Sequence, residues 1–288
     1  MAFTSKHYLA LAVVLIIWAG NVIAIKMAVT ELPSMTALAL RFIFTSVFFL
    51  PFIKWPSKKT IWTIFQISML MNVLHIGTLF IGLKMLDAAS ISVLLQTQVI
   101  FATLLGCIFF KEKIRWKTWT GIAVAFLGII VMLGAPDLVA HPQGVFVMLF
   151  STFVLALSYV KMKHLQVVHL PTYIFLTNIF AVPFALGAAL YVDAQSWIDL
   201  PQANWNILAP VFLFQVVLVS LSHALWQKLM RISDVGKLSA TTLVSPFIVG
   251  GLSVLILGET LTIPMIVGGL LTMAGVGIIT LRRIQKGI

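Results

Sequence analysis

Asn21, Arg41, His75, Gln96, Gln98, Ser222, His223 and Ser245 all stand inside long apolar stretches of a 288-residue chain. A hydrogen-bonding side chain facing hydrocarbon is expensive, so residues of this kind turn toward a protein interior or a wet path. Amides and hydroxyls donate and accept without charge, which suits either solute binding or the hydrogen-bonded joining of helices. Arg41 is the only basic residue well inside an apolar stretch. Its planar fork matches a carboxylate, and an amino acid's carboxylate would fit. The competing use is structural, with Arg41 snorkelling outward or capping helix carbonyls. His75 and His223 offer one donor and one acceptor each and titrate near neutral pH, which permits either proton relay or hydrogen bonding in a core. Trp18, Phe101 and Trp226 suit an apolar wall for a solute or plain packing. All eight carboxylates, Glu31, Asp87, Glu112, Asp137, Asp193, Asp199, Asp234 and Glu259, fall at the ends of apolar stretches. A buried carboxylate carrying a proton or sodium is therefore not expected, and facilitated diffusion or exchange fits better. Neither HExxH, GxSxG nor an Asp-rich motif is present, so an integral membrane enzyme is disfavoured. No catalytic residue, metal site or cofactor is expected.

These side chains need elements to hold them, and composition says what kind. Apolar residues make up 61% of the chain and charged ones 9%, with mean hydropathy +1.09. A soluble domain carries roughly 25% charged residues, so this composition belongs to a bilayer. Hydropathy and breakers predict an all-α integral membrane protein with ten transmembrane helices near 7–29, 35–53, 62–83, 90–110, 117–134, 144–162, 172–191, 206–227, 238–257 and 264–281. The first apolar stretch is too long for a cleaved signal core and is expected to remain as a span. The net charge of +11 does not point to nucleic acid, because the basic residues are spread over connector ends rather than gathered on one face. Counting connectors alternately, 16 of the 19 Lys and Arg residues fall on one side. Cytoplasmic loops carry that excess, which predicts cytoplasmic N and C termini. The lone cysteine, Cys107, excludes an intrachain disulfide and reads as packing.

The connectors also carry a repeat. A shift of 147 positions sets Asp87 on Asp234, Ser92 on Ser239, Leu105 on Leu252, Glu112 on Glu259, Gly121 on Gly268 and Gly128 on Gly275. The first two spans fit a shift of 138, which sets Pro33 on Pro171, Asn21 on Tyr159 and Trp18 on Ala156, with the difference absorbed in the 192–206 connector. We therefore expect two copies, 1–135 and 143–284. Five spans per copy is odd, so the second copy enters the membrane from the other side. Inverted repeats mark secondary transporters, whose solute sites lie near the midplane between the copies. Positions polar in both copies are Asn21 with Tyr159, His75 with Ser222 and Gln98 with Ser245. Each either lines a cavity or ties helices together. Gln96 and Gln98 lie roughly 160° apart on a helix, so one of them must face a neighbour. Pro183 and Pro246 interrupt spans seven and nine and free the carbonyls of Ile179 and Thr242, as kinks that gate or expose acceptors. Gly121, Ala125 and Gly128, mirrored by Gly268, Thr272 and Gly275, form small-residue ridges for scaffold packing or a homodimer.

Several of these residues group into a familiar pattern. Trp18-Ala-Gly-Asn21 with Lys26, Ala39-Leu-Arg41-Phe42, Gln96-x-Gln98 leading to Glu112, and Ser245-Pro246 leading to Gly258-Glu259 together resemble the EamA family of the drug/metabolite transporter superfamily. The resemblance covers essentially the whole chain, one EamA domain per half. It is greatest to exporters of O-acetylserine and cysteine, with exporters of aromatic amino acids more distant. It implies a multi-pass protein of the cell membrane, in contact with lipid, moving small polar metabolites through a central cavity by alternating access. Efflux of amphipathic drugs is the other transport reading. A structural or receptor-like membrane protein would instead have a solid core.

Overall fold

The computed structural model describes residues 5–110, 116–162, 165, 168–232 and 241–285, and the described residues form helices and short connectors without strands. Eight helical runs among them are long and apolar enough to cross a membrane, and two further apolar runs, Trp116–Met132 and Thr242–Leu257, are shorter. The chain order is α1 (Ser5–Glu31), α2 (Ser34–Phe49), α3 (Lys58–Ser68), a π-helical segment (Met69–Ile76), α4 (Gly77–Met85), α5 (Ala88–Leu94), α6 (Thr97–Phe110) and α7 (Trp116–Met132). It continues with α8 (Pro136–Ala140), α9 (Pro142–Met162), α10 (Leu170–Asp193), α11 (Gln195–Ile198), α12 (Trp205–Leu213), a π segment (Phe214–Val219) and α13 (Ser220–Ile232). A 3-10 turn (Thr242–Val244), α14 (Ser245–Leu252), a third π segment (Ser253–Leu257) and α15 (Ile263–Gln285) complete it. The spans expected at 117–134 and 238–257 are the two that come out short. At 17 residues, α7 is roughly 25 Å long, against a hydrocarbon core of about 30 Å. Glu112, Asp234 and Ser239 lie outside the described residues.

Two antiparallel seams hold the bundle. In the first, α7 lies on α15, and the glycine ridges face each other. A Cβ on Gly121 would sit 2.8 Å from the Gly275 carbonyl oxygen, and one on Gly128 would sit 2.6 Å from the Gly268 carbonyl oxygen. Thr272 donates to the carbonyl of Ala125 at 3.4 Å. As one helix number rises its partner's falls, so the two run in opposite directions. The small-residue ridges thus face each other within the chain, the scaffold use expected for them. The second seam joins α2 and α10. Thr36 and Ser196 share a hydrogen bond of 2.6 Å at one end, while Thr172 accepts from the Lys54 amide at 2.8 Å at the other. In α10, Pro183 sits inside a helix assigned continuously from Leu170 to Asp193, where it has no amide to donate to the Ile179 carbonyl. One missing amide bond does not end a helix where neighbours, here α2 along its length, replace water as the surroundings.

Two irregular segments in each half of the chain fall in matched places, whereas the π segment Ser253–Leu257 corresponds to regular helix at 106–110. Across the 147-residue shift, the π segment Met69–Ile76 overlaps Phe214–Val219. The same shift places the turn at Leu95–Gln96, where the Gln96 amide donates to Val93 at 3.0 Å, on the 3-10 turn at Thr242–Val244. In the second copy Pro246 follows that turn within the first turn of α14, where its missing amide costs nothing. The Thr242 carbonyl is not left open as expected, because the Ser245 amide donates to it in 3-10 fashion. In the first copy no proline is needed. Thr97 donates through its hydroxyl to the Leu94 carbonyl at 2.7 Å, a local side-chain bond that competes with regular helix.

Candidate functional site

Trp18 is the first residue to place. On α1, its indole Nε1 donates to Ser222 Oγ at 2.9 Å. Its ring also lies 5.6 Å from the His223 ring and 4.8 Å from that of Trp226, both on α13. Ser222 passes its own proton to the Val219 carbonyl at 2.6 Å. His223 does likewise through Nδ1 at 2.7 Å to the same carbonyl. A carbonyl only accepts, so the ring proton is on Nδ1 and Nε2 is left as an acceptor. His75, in the π segment Met69–Ile76, behaves in parallel. Its Nδ1 lies 2.9 Å from Ser151 Oγ and 3.1 Å from the Ser151 carbonyl on α9, while Ser151 Oγ donates back to the His75 carbonyl at 2.9 Å. His75 is buried, and this three-bond clasp makes it a helix tie.

Gln98 and Tyr159 meet as well. The Tyr159 hydroxyl donates to Gln98 Oε1 at 3.0 Å, joining α6 to α9. Tyr159 remains 42% exposed, so this pair borders an open surface of the protein. Gln96, the other glutamine of the motif, is buried with its Oε1 unpartnered, as the opposed helical positions require. Phe101 packs edge-on against Phe153 at 5.6 Å, which assigns it to the α6–α9 contact. Ser245, at the start of α14, is half-buried and is not joined to Gln98. The pairing of Asn21 with Tyr159 is likewise one of corresponding positions rather than of contact.

Arg41 is half-buried: its Nη1 is buried without a hydrogen-bond partner, and the guanidinium carbon stands 5.7 Å from the centre of the Phe80 ring. Both His75 and His223 lie within Coulombic range of its charge. Leaving a buried charged donor unpaired costs about 1–3 kcal/mol or more. Lys26 and Lys84 do cap, donating to the carbonyls of Leu86 at 2.7 Å and Val29 at 2.6 Å. Asn21 Oδ1 and both polar atoms of Gln215 are also buried and unpaired. Gln215 was missed from the sequence, although its counterpart across the 147-residue shift is Ser68, and the test of polarity in both copies admits that pair.

One face of the bundle collects acidic connectors. Gly258 takes a left-handed φ of 69° at the end of the third π segment, a turn that favours glycine. It presents Glu259 to the start of α5, where the Glu259 carboxylate accepts from the amides of Ala88 at 2.7 Å and Ala89 at 3.1 Å. Asp137 accepts from the Asp87 amide at 3.2 Å. Burial first, then the charges of Asp137 and Glu259, raise the Asp87 carboxyl above its ordinary range, against the opposing pull of Lys26 and His141. A surface hollow of about 330 Å³ on this face is lined by Glu31, Pro33, Gln195 and Asp199 among others. None of the candidate solute-site residues borders it. Among the described residues, no three His, Cys, Asp or Glu side chains come together as metal ligands.

With this geometry in view, the comparison with known proteins is decisive. The profile of the EamA-like transporter family matches residues 5–134 and again 142–281. The chain belongs to the EamA-like transporter family. This EamA-like chain is 27% identical over 284 residues to a "Probable amino-acid metabolite efflux pump" of Salmonella typhimurium, covering 94% of this chain and 93% of that protein. A protein of the same description from Escherichia coli is 24% identical, with the same coverage of 94% and 93%. An "Uncharacterized transporter" of Archaeoglobus fulgidus is 23% identical over 98% of this chain and 99% of its own length. A solved crystal structure superposes with a TM-score of 0.65 over 98% of both chains at 14% identity, a likeness of fold alone. The EamA-like chain is a multi-pass cell-membrane transporter that handles small molecules in contact with lipid.

Proposed function

We propose that this EamA-like transporter exports small polar metabolites, amino acids or their close derivatives, by alternating access between two inverted five-span halves. Both termini are cytoplasmic, ten spans cross the bilayer, and the solute occupies a midplane site between the halves. The observation that carries the reading is the matched placement of helix irregularities. Spans three and eight carry π segments at overlapping positions, and spans four and nine carry tight turns at equivalent ones. Discontinuous helices near the midplane, in corresponding spans of two halves, are how such carriers build solute sites, and π segments recur at functional positions. The antiparallel course of α7 and α15, equivalent spans under the repeat, supports the inverted arrangement. So does the double match of one family domain to 5–134 and 142–281.

Trp18, Asn21, Arg41, Gln98, Tyr159 and Ser222 line the path in this reading, with His223, Trp226 and Ser245 beside them. His75, Gln96 and Phe101 serve it from the packed interior. The solute class rests on the efflux pumps of Salmonella typhimurium and Escherichia coli that the chain resembles. Uptake of radiolabelled amino acids into proteoliposomes holding the purified protein tests it. Substrate-dependent flux for at least one amino acid is expected, and silence across the whole set would remove the solute class. Efflux of cationic dyes should be absent, because the spans offer a cation no carboxylate.

A further inference from the structure

Three unsatisfied groups point to how a solute would be held. Arg41 on α2 offers a buried guanidinium nitrogen with no acceptor. Asn21 on α1 has an amide oxygen with no donor, and Gln215, in the π segment Phe214–Val219, is 2% exposed with neither amide atom paired. The three segments that carry them pack on one another, α1 on α2 and both on the π segment, with Phe44 edge-on to Phe212 at 5.3 Å on the same seam. A buried polar group without a partner is rare in native proteins and calls for a specific reason. Here donors and acceptors are unpaired together. The cation lacks an anion, and two neutral oxygens lack a donor.

We propose that Arg41 docks the carboxylate of the solute, and that the amide oxygens of Asn21 and Gln215 take its ammonium group, so that the carrier selects α-amino-acid zwitterions by both ends. This rests on the carrier reading above and adds the residues that set its specificity. A planar carboxylate satisfies the guanidinium fork in a bidentate way that an ammonium point charge cannot reproduce. An ammonium brings three donors to oxygens that have none. A solute lacking either end would leave part of the buried set unpaired, which is the strongest form of discrimination a hydrogen-bonding site has.

Matched triplets test it in proteoliposomes: L-cysteine with cysteamine and 3-mercaptopropionate, and L-phenylalanine with phenethylamine and 3-phenylpropionate. In whichever triplet carries flux, the amino acid should move at least tenfold faster than the compounds missing one end. Arg41→Gln should lose tenfold or more of amino-acid flux, and Arg41→Lys should retain part of the rate. Removing an unpaired buried charge should leave the Tm of the unliganded protein equal or higher, with the amino-acid-induced rise in Tm abolished. A structural arginine would give a lower Tm instead. Equal transport of amino acid and amine by the wild-type protein overturns the proposal even if every variant fails to fold, as does wild-type flux in Arg41→Gln. Silence in both triplets and across the full amino-acid set removes the carrier reading, and this proposal falls with it.

Discussion

The two intramembrane histidines stand in like sequence settings and make different contacts. His75 is clasped to Ser151 of α9 through three contacts, whereas His223 bonds within its own helix turn to Val219 and lies tilted beside Trp18. His75→Ala should therefore destabilise the protein in detergent by about 1–3 kcal/mol, the cost of stranding buried partners. His223→Ala should cost less than His75→Ala while altering transport more, a split that thermal melts and flux assays on the same preparations would register. Asn21→Ala and Gln98→Ala should lower flux with membrane abundance intact. For Gln98 the lost contact with Tyr159 is worth about 0.6–2 kcal/mol by the usual scale of such bonds in membranes. Parallel loss of abundance and flux would reassign these residues to folding. Gln96 illustrates why residue type alone misleads. It shares its motif with Gln98, but the helix turns it into the packed interior, and its role follows from direction rather than chemistry.

At the scale of the element, the seam between α7 and α15 is set by the absence of side chains. The Cβ of any residue at Gly128 would meet the backbone of Thr272 and the carbonyl of Gly268. Gly128→Leu should force the helices apart and lower stability by about 3 kcal/mol or more, read as a fall in Tm and yield. The start of α5 is held by a different force, the Glu259 carboxylate on two helix-end amides. Negative charge is favoured there by the helix dipole, but Asp87 and Asp137 crowd it. A carboxyl whose folded value is raised stabilises the fold fully below its ordinary value of 3.8 and loses that contribution as pH rises through the higher folded value. Asp87→Asn should then melt higher than wild type at about pH 7, with the difference vanishing below about pH 4. Asparagine is as good an N-cap as aspartate, so the comparison isolates the charge. A constant difference across pH would show that the crowding of carboxylates is not its source.

At the scale of the whole molecule, the Glu259 contact ties a connector of the second half to the first half's α5, on the acidic face. If the halves rock, that tie must open whenever the path opens to the same face. In a Cys107→Ser background, Tyr159→Cys should react with an impermeant maleimide added from that face several-fold faster when Glu259→Gln is also present. Unchanged labelling would mean that Glu259 is only a helix cap.

Much of this architecture was legible in the chain itself. The helical, bilayer-suited character of the chain depends on local hydropathy and on turn residues spaced along it, and it survives in the eight helical runs, among the described residues, long and apolar enough to cross a membrane. The inverted repeat proposed for this chain rests on parity, since five crossings leave a chain on the opposite side. Partnership was not legible, because it depends on the rotation of each helix about its own axis and on what lies across the seam. No spacing rule pairs Trp18 with Ser222, His75 with Ser151 or Glu259 with the amides of α5. Nor does one tell that Arg41 Nη1 and the Gln215 amide are left unpaired while Lys26 and Lys84 find carbonyls, or that the glycine ridges meet each other. Those outcomes come from helices more than fifty residues apart packing side by side, where the fit of neighbouring surfaces decides which polar groups are satisfied and which are left unpaired.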